Sequence, residues 1–326
     1  MEDTTKVPQS LMEAMQHFAD PKVCVEFMAQ LRWTDGPVCP QCSSKRLSFL
    51  ETRLIWKCLD CKKQFSVKVG TIFEDSAIGL DKWLCAMWLI ANCKNGISSY
   101  EIAKDLKVSQ KSAWFMLHRI RLAMQTGTFN KLSGNVEVDE TFIGGKARNM
   151  HAKDKARKIK ARGGQDGKEI VLGMIERGGI VRALHIKGRG KPELQKHVRQ
   201  HVEADSAIFT DELHSYHGLS DDFRHAVVDH AIQYVNGNVH TNTMENFWSL
   251  LKRGLHGTYI SVEPFHLFRY LDEQAFRFNN RHATDADRFV RLCSTVAGRR
   301  LTWNQVRGKH DANRNGRAVE SDPEPF

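Results

Sequence analysis

The sequence predicts a multi-part α/β protein in which a small cysteine-rich domain and a helical region precede a larger domain built on a mixed β-sheet. Paired cysteines recur between Cys39 and Cys61, and from Asn135 onward segments with strand-type alternation are interrupted by a helical pattern. With 326 residues the chain is long enough for two or three units, each with a buried core.

The charge balance is basic. Lys plus Arg number 48 against 38 Asp plus Glu, which gives a formal net charge of +10 and a pI near 9.2. This excess favours a polyanionic partner such as nucleic acid, although many basic proteins bind none. The first ten residues lack the features of a signal peptide, and no apolar run approaches the roughly 20 residues that cross a membrane. We therefore expect a cytoplasmic protein without membrane contact.

Four of the eight cysteines form two C-x-x-C pairs, Cys39 with Cys42 and Cys58 with Cys61. This spacing is typical of a structural zinc site, because two intervening residues let one turn aim both sulfurs at the same ion. The segment between the pairs then supplies the strands of a zinc ribbon. The alternatives are disulfides, free thiols or a redox-active pair. We predict one structural Zn²⁺ at these four cysteines and ordinary buried thiols at the others.

Helices are predicted after the ribbon, first an amphipathic scaffold helix over 78–93 and then a pair of shorter ones. Ser98 and Glu101 have the spacing of a capping box, and a further helix starts after Ser109. Two helices joined by a tight turn are typical of a helix-turn-helix, whose second helix enters the major groove of DNA. An ordinary helical hairpin is the alternative. As a DNA reader, the second helix would present Gln110, Lys111 and Ser112.

The second half begins with a strand that carries an acid. Residues 136–143 alternate apolar and polar side chains before a Gly-Gly pair ends the run. Because aspartate is a poor strand former, we expect Asp139 to be there for its carboxylate or to lie at a sheet edge. Asp211 ends a later strand of buried type, and this order of elements predicts an α/β unit with a mixed sheet. The elements between 136–143 and Asp211 are two strands, a helix and a strand, over 170–175, 180–186, 192–204 and 207–211.

A third acid lies in the segment HTNTMENFWSLLKR, residues 240–253. In the helix predicted there, Glu245, Ser249 and Lys252 lie at positions i, i+4 and i+7, so a carboxylate and a lysine project from one face. Together with the two aspartates, Glu245 could hold two divalent cations of the magnesium class, which take oxygen ligands.

Neighbouring acids are alternative ligands. Glu140 follows Asp139, and Glu212 follows Asp211. Strand alternation sends neighbouring side chains to opposite faces of a sheet, so we expect only one acid of each pair to face the site. We choose the two aspartates.

One set of residues resembles the acidic triad and trailing lysine of the DDE transposases: Asp139, Asp211, Glu245 and Lys252. The resemblance is closest to the ISXO-type insertion-sequence transposases, which join a zinc ribbon to V-E-V-D-E-T-x-x-G-G-K and H-T-N-T-x-E-N-F-W-S-L-L-K-R segments, and it covers nearly all of the chain. It implies a ribonuclease H-like catalytic domain and phosphoryl transfer with two Mg²⁺ or Mn²⁺ ions held by the triad. Some members have an asparagine as third ligand, so Asn242 and Asn246 stay open beside Glu245.

The resemblance also implies the partner, which is double-stranded DNA at the terminal inverted repeats and at the target, bound by a homodimer or higher homo-oligomer. It implies that Lys252 contacts a backbone phosphate, and we add the neighbouring Arg253. A basic insertion at 146–164, which includes Lys155 and Lys158, separates the first two acids. Its place beside the acids favours phosphate contact, whereas such a run is commonly a solvated face.

The function implied is that of a bacterial insertion-sequence transposase, cytoplasmic and associated with the nucleoid when bound to DNA. Two alternatives remain, a zinc-ribbon and helix-turn-helix transcription regulator and a domesticated protein that binds ends without cutting. We divide the chain into five parts: an N-terminal helical segment (1–35), the ribbon (36–75), the helix-turn-helix region (76–130), the catalytic domain (131–285) and a basic C-terminal region (286–326). In the last part we expect a disordered tail from Asp311.

Overall fold

The computed structural model describes residues 7–125, 130–145, 152, 155, 167–227 and 240–309. These residues divide into two compact units. The first unit contains the residues up to 125 together with those from 280 onward, and the second contains the residues from 130 to 279. None of the helices in these ranges combines the length with the apolar composition that a bilayer span requires.

The first unit begins with two helices and a small antiparallel sheet. The helices are α1 (Leu11–His17) and α2 (Pro21–Arg32), and the strands, in the order β1-β2-β3, are β1 (Leu47–Leu50), β2 (Ile55–Cys58) and β3 (Gln64–Phe65). The ring of Trp56 on β2 lies 5.0 Å from that of Phe49 and 6.0 Å from that of Phe65, measured between centroids. These aromatic contacts give the ribbon a small apolar core, as a sheet of this size requires.

Three helices follow, α3 (Leu80–Asn92), α4 (Ser99–Asp105) and α5 (Gln110–Met124). The predicted capping box is confirmed, because Ser98 Oγ accepts a hydrogen bond from the Glu101 amide and the Glu101 carboxylate accepts one from the Ser98 amide. Apart from the half-buried Trp114 and Phe115, the side chains of α5 are buried from its fourth residue onward. Most of α5 is therefore a core helix of this unit.

The second unit is built on a five-stranded sheet with the strand order β6-β5-β4-β7-β8. The two pairings among β4, β5 and β6 are antiparallel, and those of β4 with β7 and of β7 with β8 are parallel. The predicted mixed sheet is thus confirmed, with β8 as a strand that the sequence did not predict. The elements are β4 (Asn135–Ile143), β5 (Glu169–Glu176), β6 (Val181–Ile186), α6 (Lys191–His201), β7 (Ala207–Thr210) and β8 (Arg224–Val227).

Helices cover both faces of this sheet. On one face, α7 (Asn242–Arg253), a π-helical turn (Gly254–Tyr259) and α8 (Leu267–Asn279) bury a core with the sheet. On the other face α6 packs against β4 and β5 through Leu194 and Val198. The two hydrophobic cores hold the sheet between the helices.

The last described residues belong to the first unit. They form α9 (Asp285–Ser294) and the single turn α10 (Trp303–Val306). The ring of Phe289 on α9 stacks on Phe27 of α2 at 5.8 Å and meets Trp88 of α3 at 5.1 Å. The chain therefore returns after the second unit to complete the core of the first. The tail predicted from Asp311 lies outside the described residues.

Candidate active site

Two acids meet at neighbouring strands of the five-stranded sheet. β4 and β7 run parallel and pair Glu137 with Phe209, so two residues further along Asp139 on β4 comes beside Asp211, which directly follows β7. Asp139, Asp211 and also Glu140 each place a carboxylate oxygen within 4.8 Å of the other two. We call these three residues the acidic cluster.

Glu140 corrects the prediction that only one acid of a neighbouring pair faces the site. Its carboxylate lies on the α6 side of β4, where Oε2 accepts a 2.7 Å hydrogen bond from the hydroxyl of the buried Tyr216. Alternation fixes the direction of the Cα–Cβ bond but not the end of a flexible side chain. Because β7 ends at Thr210, the edge of β4 is open here, and Glu140 reaches around it towards Asp139. Glu212, by contrast, is exposed and outside the cluster.

Both oxygens of Asp139 accept hydrogen bonds. The backbone amide of Glu140 donates to Oδ1 at 2.8 Å, and the indole Nε1 of Trp248 on α7 donates to Oδ2 at 2.8 Å. Because each carboxylate oxygen has two lone pairs, these bonds fix the orientation of the group and still leave capacity for a further ligand.

The cluster is electrostatically strained when it is fully ionised. The pKa of Asp139 is raised to about 6 and that of Glu140 to about 7, chiefly by burial and to a smaller extent by the negative charge of Asp211. The hydrogen bonds from Trp248 and Tyr216 lower these pKa values and offset part of the effect. A bound cation favours the ionised form of its ligands, so the carboxylate set suits a positive ion.

Helix α7 forms the opposite wall of the same pocket. Glu245 and Lys252 project from one face of α7, as predicted, but Glu245 does not belong to the group of oxygens within 4.8 Å. Its negative charge contributes to the raised pKa of Asp139. Asn242 and Asn246 are exposed and are not among the described residues that line the pocket. The lining residues are Asp139, Glu140, Thr141, Glu245, Trp248, Ser249 and Lys252.

A cation that the sequence analysis missed lies beside the acidic cluster. The guanidinium of Arg189, in the loop between β6 and α6, lies 5.6 Å from the centre of the Phe142 ring on β4. Its positive charge lowers the pKa of Glu140. The side chain is exposed. The segment Lys187–Lys191, K-G-R-G-K ahead of a helix, is the pattern that could have pointed to it.

The other predicted DNA contacts have diverse surroundings. Arg253 is exposed at the end of α7, Lys155 is helical and exposed, and Lys158 lies outside the described residues with most of the basic insertion. On α5, Gln110 donates a 2.9 Å hydrogen bond to Ser99, and the Lys111 ammonium lies 4.7 Å from the centre of the Trp303 ring. The Ser112 amide donates to the capping hydroxyl of Ser109.

The four predicted zinc ligands converge. The Sγ atoms of Cys39 and Cys61 lie 3.6 Å apart, as do those of Cys42 and Cys58, and all four sulfurs lie within 4.8 Å of one another. Tetrahedral zinc with Zn–S bonds of about 2.3 Å places its sulfurs about 3.8 Å apart, so the arrangement fits the ion. Backbone hydrogen bonds within the second pair lower the pKa of Cys58, whereas hydrogen bonds shared with the neighbouring thiols raise the pKa of Cys42 and of Cys61. A bound Zn²⁺ would favour the thiolate form of all four.

The two knuckles are also tied together outside the sulfurs. The Asp60 carboxylate in the second knuckle accepts hydrogen bonds from Ser44 Oγ at 2.5 Å and from the Arg46 guanidinium at 2.7 Å, just after the first knuckle. These contacts hold the two turns facing one another, as a shared ion requires.

Comparison with known proteins gives two matches to family models. Residues 131–279 match the ISXO2-like transposase domain, and residues 20–64 match the transposase zinc-ribbon domain. The first match spans the acidic cluster and α7, and the second spans both cysteine pairs. No solved structure matches the chain significantly.

Two curated relatives have similar sequences. An uncharacterized protein in the transposable element ISH50 of Halobacterium salinarum is 27% identical over 256 residues, which is 75% of this chain and 86% of the relative. An uncharacterized transposase-like protein of Haemophilus influenzae is 32% identical over 84 residues, which is 26% of this chain and 68% of the relative.

Proposed function

The chain belongs to the ISXO2-like transposases of insertion sequences, and from this premise we propose that it binds its element's terminal inverted repeats and catalyses metal-dependent strand cleavage and strand transfer. The observation that carries the proposal is the acidic cluster, with Asp139, Glu140 and Asp211 within 4.8 Å. Glu245 and Lys252 line the same pocket, so carboxylates and a cation are available together.

The donor set fits hard divalent cations such as Mg²⁺ or Mn²⁺, which take carboxylate oxygens. Oxygens bound to one octahedral ion at about 2.1 Å lie about 3 to 4 Å apart, so small side-chain rotations would bring the acidic cluster to that geometry. Asp139, Asp211 and Glu245 would hold the two ions, with Glu140 as an additional ligand. When bound, such ions activate a water or a DNA 3′-hydroxyl and stabilise the leaving oxygen.

The chain's own residues orient this chemistry. Trp248 and the Glu140 amide hold the Asp139 carboxylate from two sides, and Tyr216 holds Glu140 from the α6 side. Carboxylates fixed in this way need little rearrangement when a phosphate enters the pocket, and such preorganisation lowers the barrier of a phosphoryl transfer.

Two cations flank the acidic cluster and would contact the DNA backbone. Lys252 lines the pocket on the α7 side, and Arg189 lies beside Glu140 on the opposite side of β4. We place a phosphate next to each, with lysine acting as a point charge and arginine able to donate two parallel hydrogen bonds. Arg253 and the basic insertion, with Lys155 and Lys158, would extend this contact to neighbouring phosphates.

Recognition of the DNA ends is assigned to the first unit, which contains the zinc ribbon and the α4–α5 pair. The proposed readers Gln110, Lys111 and Ser112 form the first turn of α5. Because these groups already contact Ser99, Trp303 and Ser109, they would exchange those contacts for DNA on binding. An element has two ends, so the proposal includes at least two copies of the chain on DNA.

The deciding experiment is cleavage of a labelled duplex that carries the inverted repeats flanking the gene, in Mg²⁺, Mn²⁺ or EDTA. Asp211→Asn should abolish cleavage while leaving duplex binding nearly intact. Glu212→Gln is the matched control, since Glu212 adjoins Asp211 but is exposed and outside the cluster, and it should cut like the native chain. Binding without cutting in every metal would contradict the proposal and favour a regulator or a non-cleaving end-binding protein.

A further inference from the structure

A third carboxylate on β4, beside the two that belong to the acidic cluster, is fully buried. Glu137 has an exposed fraction of 0%, two residues before Asp139 in the same strand. A buried carboxylate is strongly destabilising unless it is paired and hydrogen-bonded, so its partners indicate what it is there to hold.

The partners of Glu137 lie at the start of α7. The backbone amides of Thr243 and Met244 donate to Oε2 at 2.9 and 3.0 Å, and the Thr243 hydroxyl donates to Oε1 at 3.0 Å. Thr243 and Met244 are the second and third residues of the helix, whose amides an N-cap side chain ordinarily accepts. The N-cap residue Thr241 makes no such bond. Glu137 therefore caps α7 from a strand more than 100 residues earlier.

A cationic group completes the surroundings of Glu137. Arg177, which follows β5, donates from Nε to Oε1 of Glu137 at 2.8 Å and from Nη2 to the His240 carbonyl at 2.6 Å. Its guanidinium also lies 4.1 Å from the centre of the Phe209 ring on β7. The His240 ring nitrogen Nδ1 lies 3.3 Å from the same Glu137 oxygen. His240, two residues before α7, is thus held by Glu137 on β4 and by Arg177, and Arg177 in turn contacts β7.

The spacing of the contacts fixes the helix along the strand. Glu137 and Asp139 lie on the same face of β4, and they bond Thr243–Met244 and Trp248 of α7 respectively. Two strand residues advance about 6.6 to 6.8 Å, and four to five helical residues advance about 6 to 7.5 Å. The distance between the two contacts along the strand therefore matches their distance along the helix. A slip of one helical residue would move α7 by about 1.5 Å and break both contacts.

We propose that Glu137 is a positioning residue that sets the register of α7 on β4 and so places Glu245 in the pocket that contains the acidic cluster. Glu245 directly follows Met244, whose amide Glu137 holds, and its side chain lines the pocket. The inference rests on the proposed function, because it gives Glu245 a role in holding the metal.

The test measures Mn²⁺ binding by the zinc-loaded full chain, from the electron paramagnetic resonance signal of free Mn²⁺. Glu137→Gln keeps the shape and removes the charge, and it should weaken Mn²⁺ binding as much as Glu245→Gln does, about 10-fold or more. The double variant should bind no more weakly than Glu245→Gln alone, because one residue acts through the other. Wild-type Mn²⁺ affinity in Glu137→Gln, or additive losses in the double variant, would overturn the proposal.

A control and a milder variant separate positioning from folding. Glu273→Gln removes an equally buried carboxylate, paired with Arg277 on α8, and should leave Mn²⁺ affinity unchanged. If Glu137→Gln does not fold, Thr243→Val removes only the hydroxyl contact and should weaken Mn²⁺ binding about two- to tenfold. Unchanged affinity in that variant overturns the proposal.

A single-turnover cleavage assay distinguishes the two levels of inference. At saturating metal and DNA, Glu137→Gln should cut about 10- to 100-fold more slowly with little change in the Kd for the end duplex. A native chain that binds Mn²⁺ as described but cuts no DNA would refute the proposed function and leave the role of Glu137 in α7 intact.

Discussion

The indole of Trp248 donates its hydrogen bond to Asp139 directly above the one residue of β5 that has no side chain. Gly173 pairs with Asp139 across the antiparallel strands, and a Cβ at Gly173 would lie 2.2 Å from Met244 Cε and 2.5 Å from the Trp248 ring. The close approach of α7 to β5 therefore depends on Gly173, which has no side chain to take part in the reaction. The orientation of Asp139 depends on the same approach.

Replacing Trp248 by phenylalanine should slow cleavage more than it destabilises the fold. Phenylalanine keeps the packing of the ring on the sheet but cannot donate to Asp139. Because this hydrogen bond is made to a charged group, the cleavage rate should fall about 10- to 100-fold. Single-turnover cleavage and the Tm measure the two effects. Trp83→Phe is the matched control, since it removes an indole bond to Ser76 in the other unit, and equal rates in both variants would contradict the role of Trp248.

Gly173→Ala tests the close approach itself. The added methyl group would overlap Met244 and the Trp248 ring, so α7 must shift outward, and overpacking of this kind destabilises by about 1–3 kcal/mol. We expect a lower Tm and loss of metal-dependent cleavage. Gly145→Ala, at a position where a Cβ meets nothing within 4 Å, should leave both unchanged. A fully active Gly173→Ala would show that the helix position is not critical.

The zinc site can be tested by removing one ligand. Cys58→Ser should lose the bound zinc and unfold the ribbon, because the small sheet has little core of its own. Zinc content and binding of the end duplex should fall together. Cys93→Ser, outside the cluster of four sulfurs, is the control and should retain the metal. Full zinc content in Cys58→Ser would refute the site.

The parts of the structure that the sequence predicts are those fixed by short-range rules. The capping box of α4 is set by Ser98 and Glu101, three residues apart, and the strand around Asp139 by alternation. The hydrogen bond from Thr243 to Glu137, by contrast, joins residues 106 positions apart, and no local sequence pattern predicts it.

Two other features escaped sequence analysis for the same physical reason. Phe289 completes the core of the first unit by packing on α2 and α3, a contact set by the return of the chain after the whole second unit. Glu140 joins the acidic cluster because β7 ends early beside it, which depends on where a neighbouring strand stops rather than on the pattern of β4. The alternation of side chains along β4, taken alone, predicted that Glu140 would face away from the site.

The last prediction concerns the path of DNA across the pocket. If Arg189 contacts a phosphate beside Glu140, Arg189→Gln should weaken binding of every duplex alike and reduce the slope of log K against log salt by about 1. Lys187→Gln removes a charge two residues away in the same exposed loop, so it separates a specific contact of Arg189 from a general loss of charge. Cleavage at saturating DNA should fall only in Arg189→Gln, because a cation next to the acidic cluster also orients the reacting phosphate. Equal effects of the two substitutions on both binding and cleavage would reduce Arg189 to one surface charge among many and would place the strand on the α7 side, along Lys252.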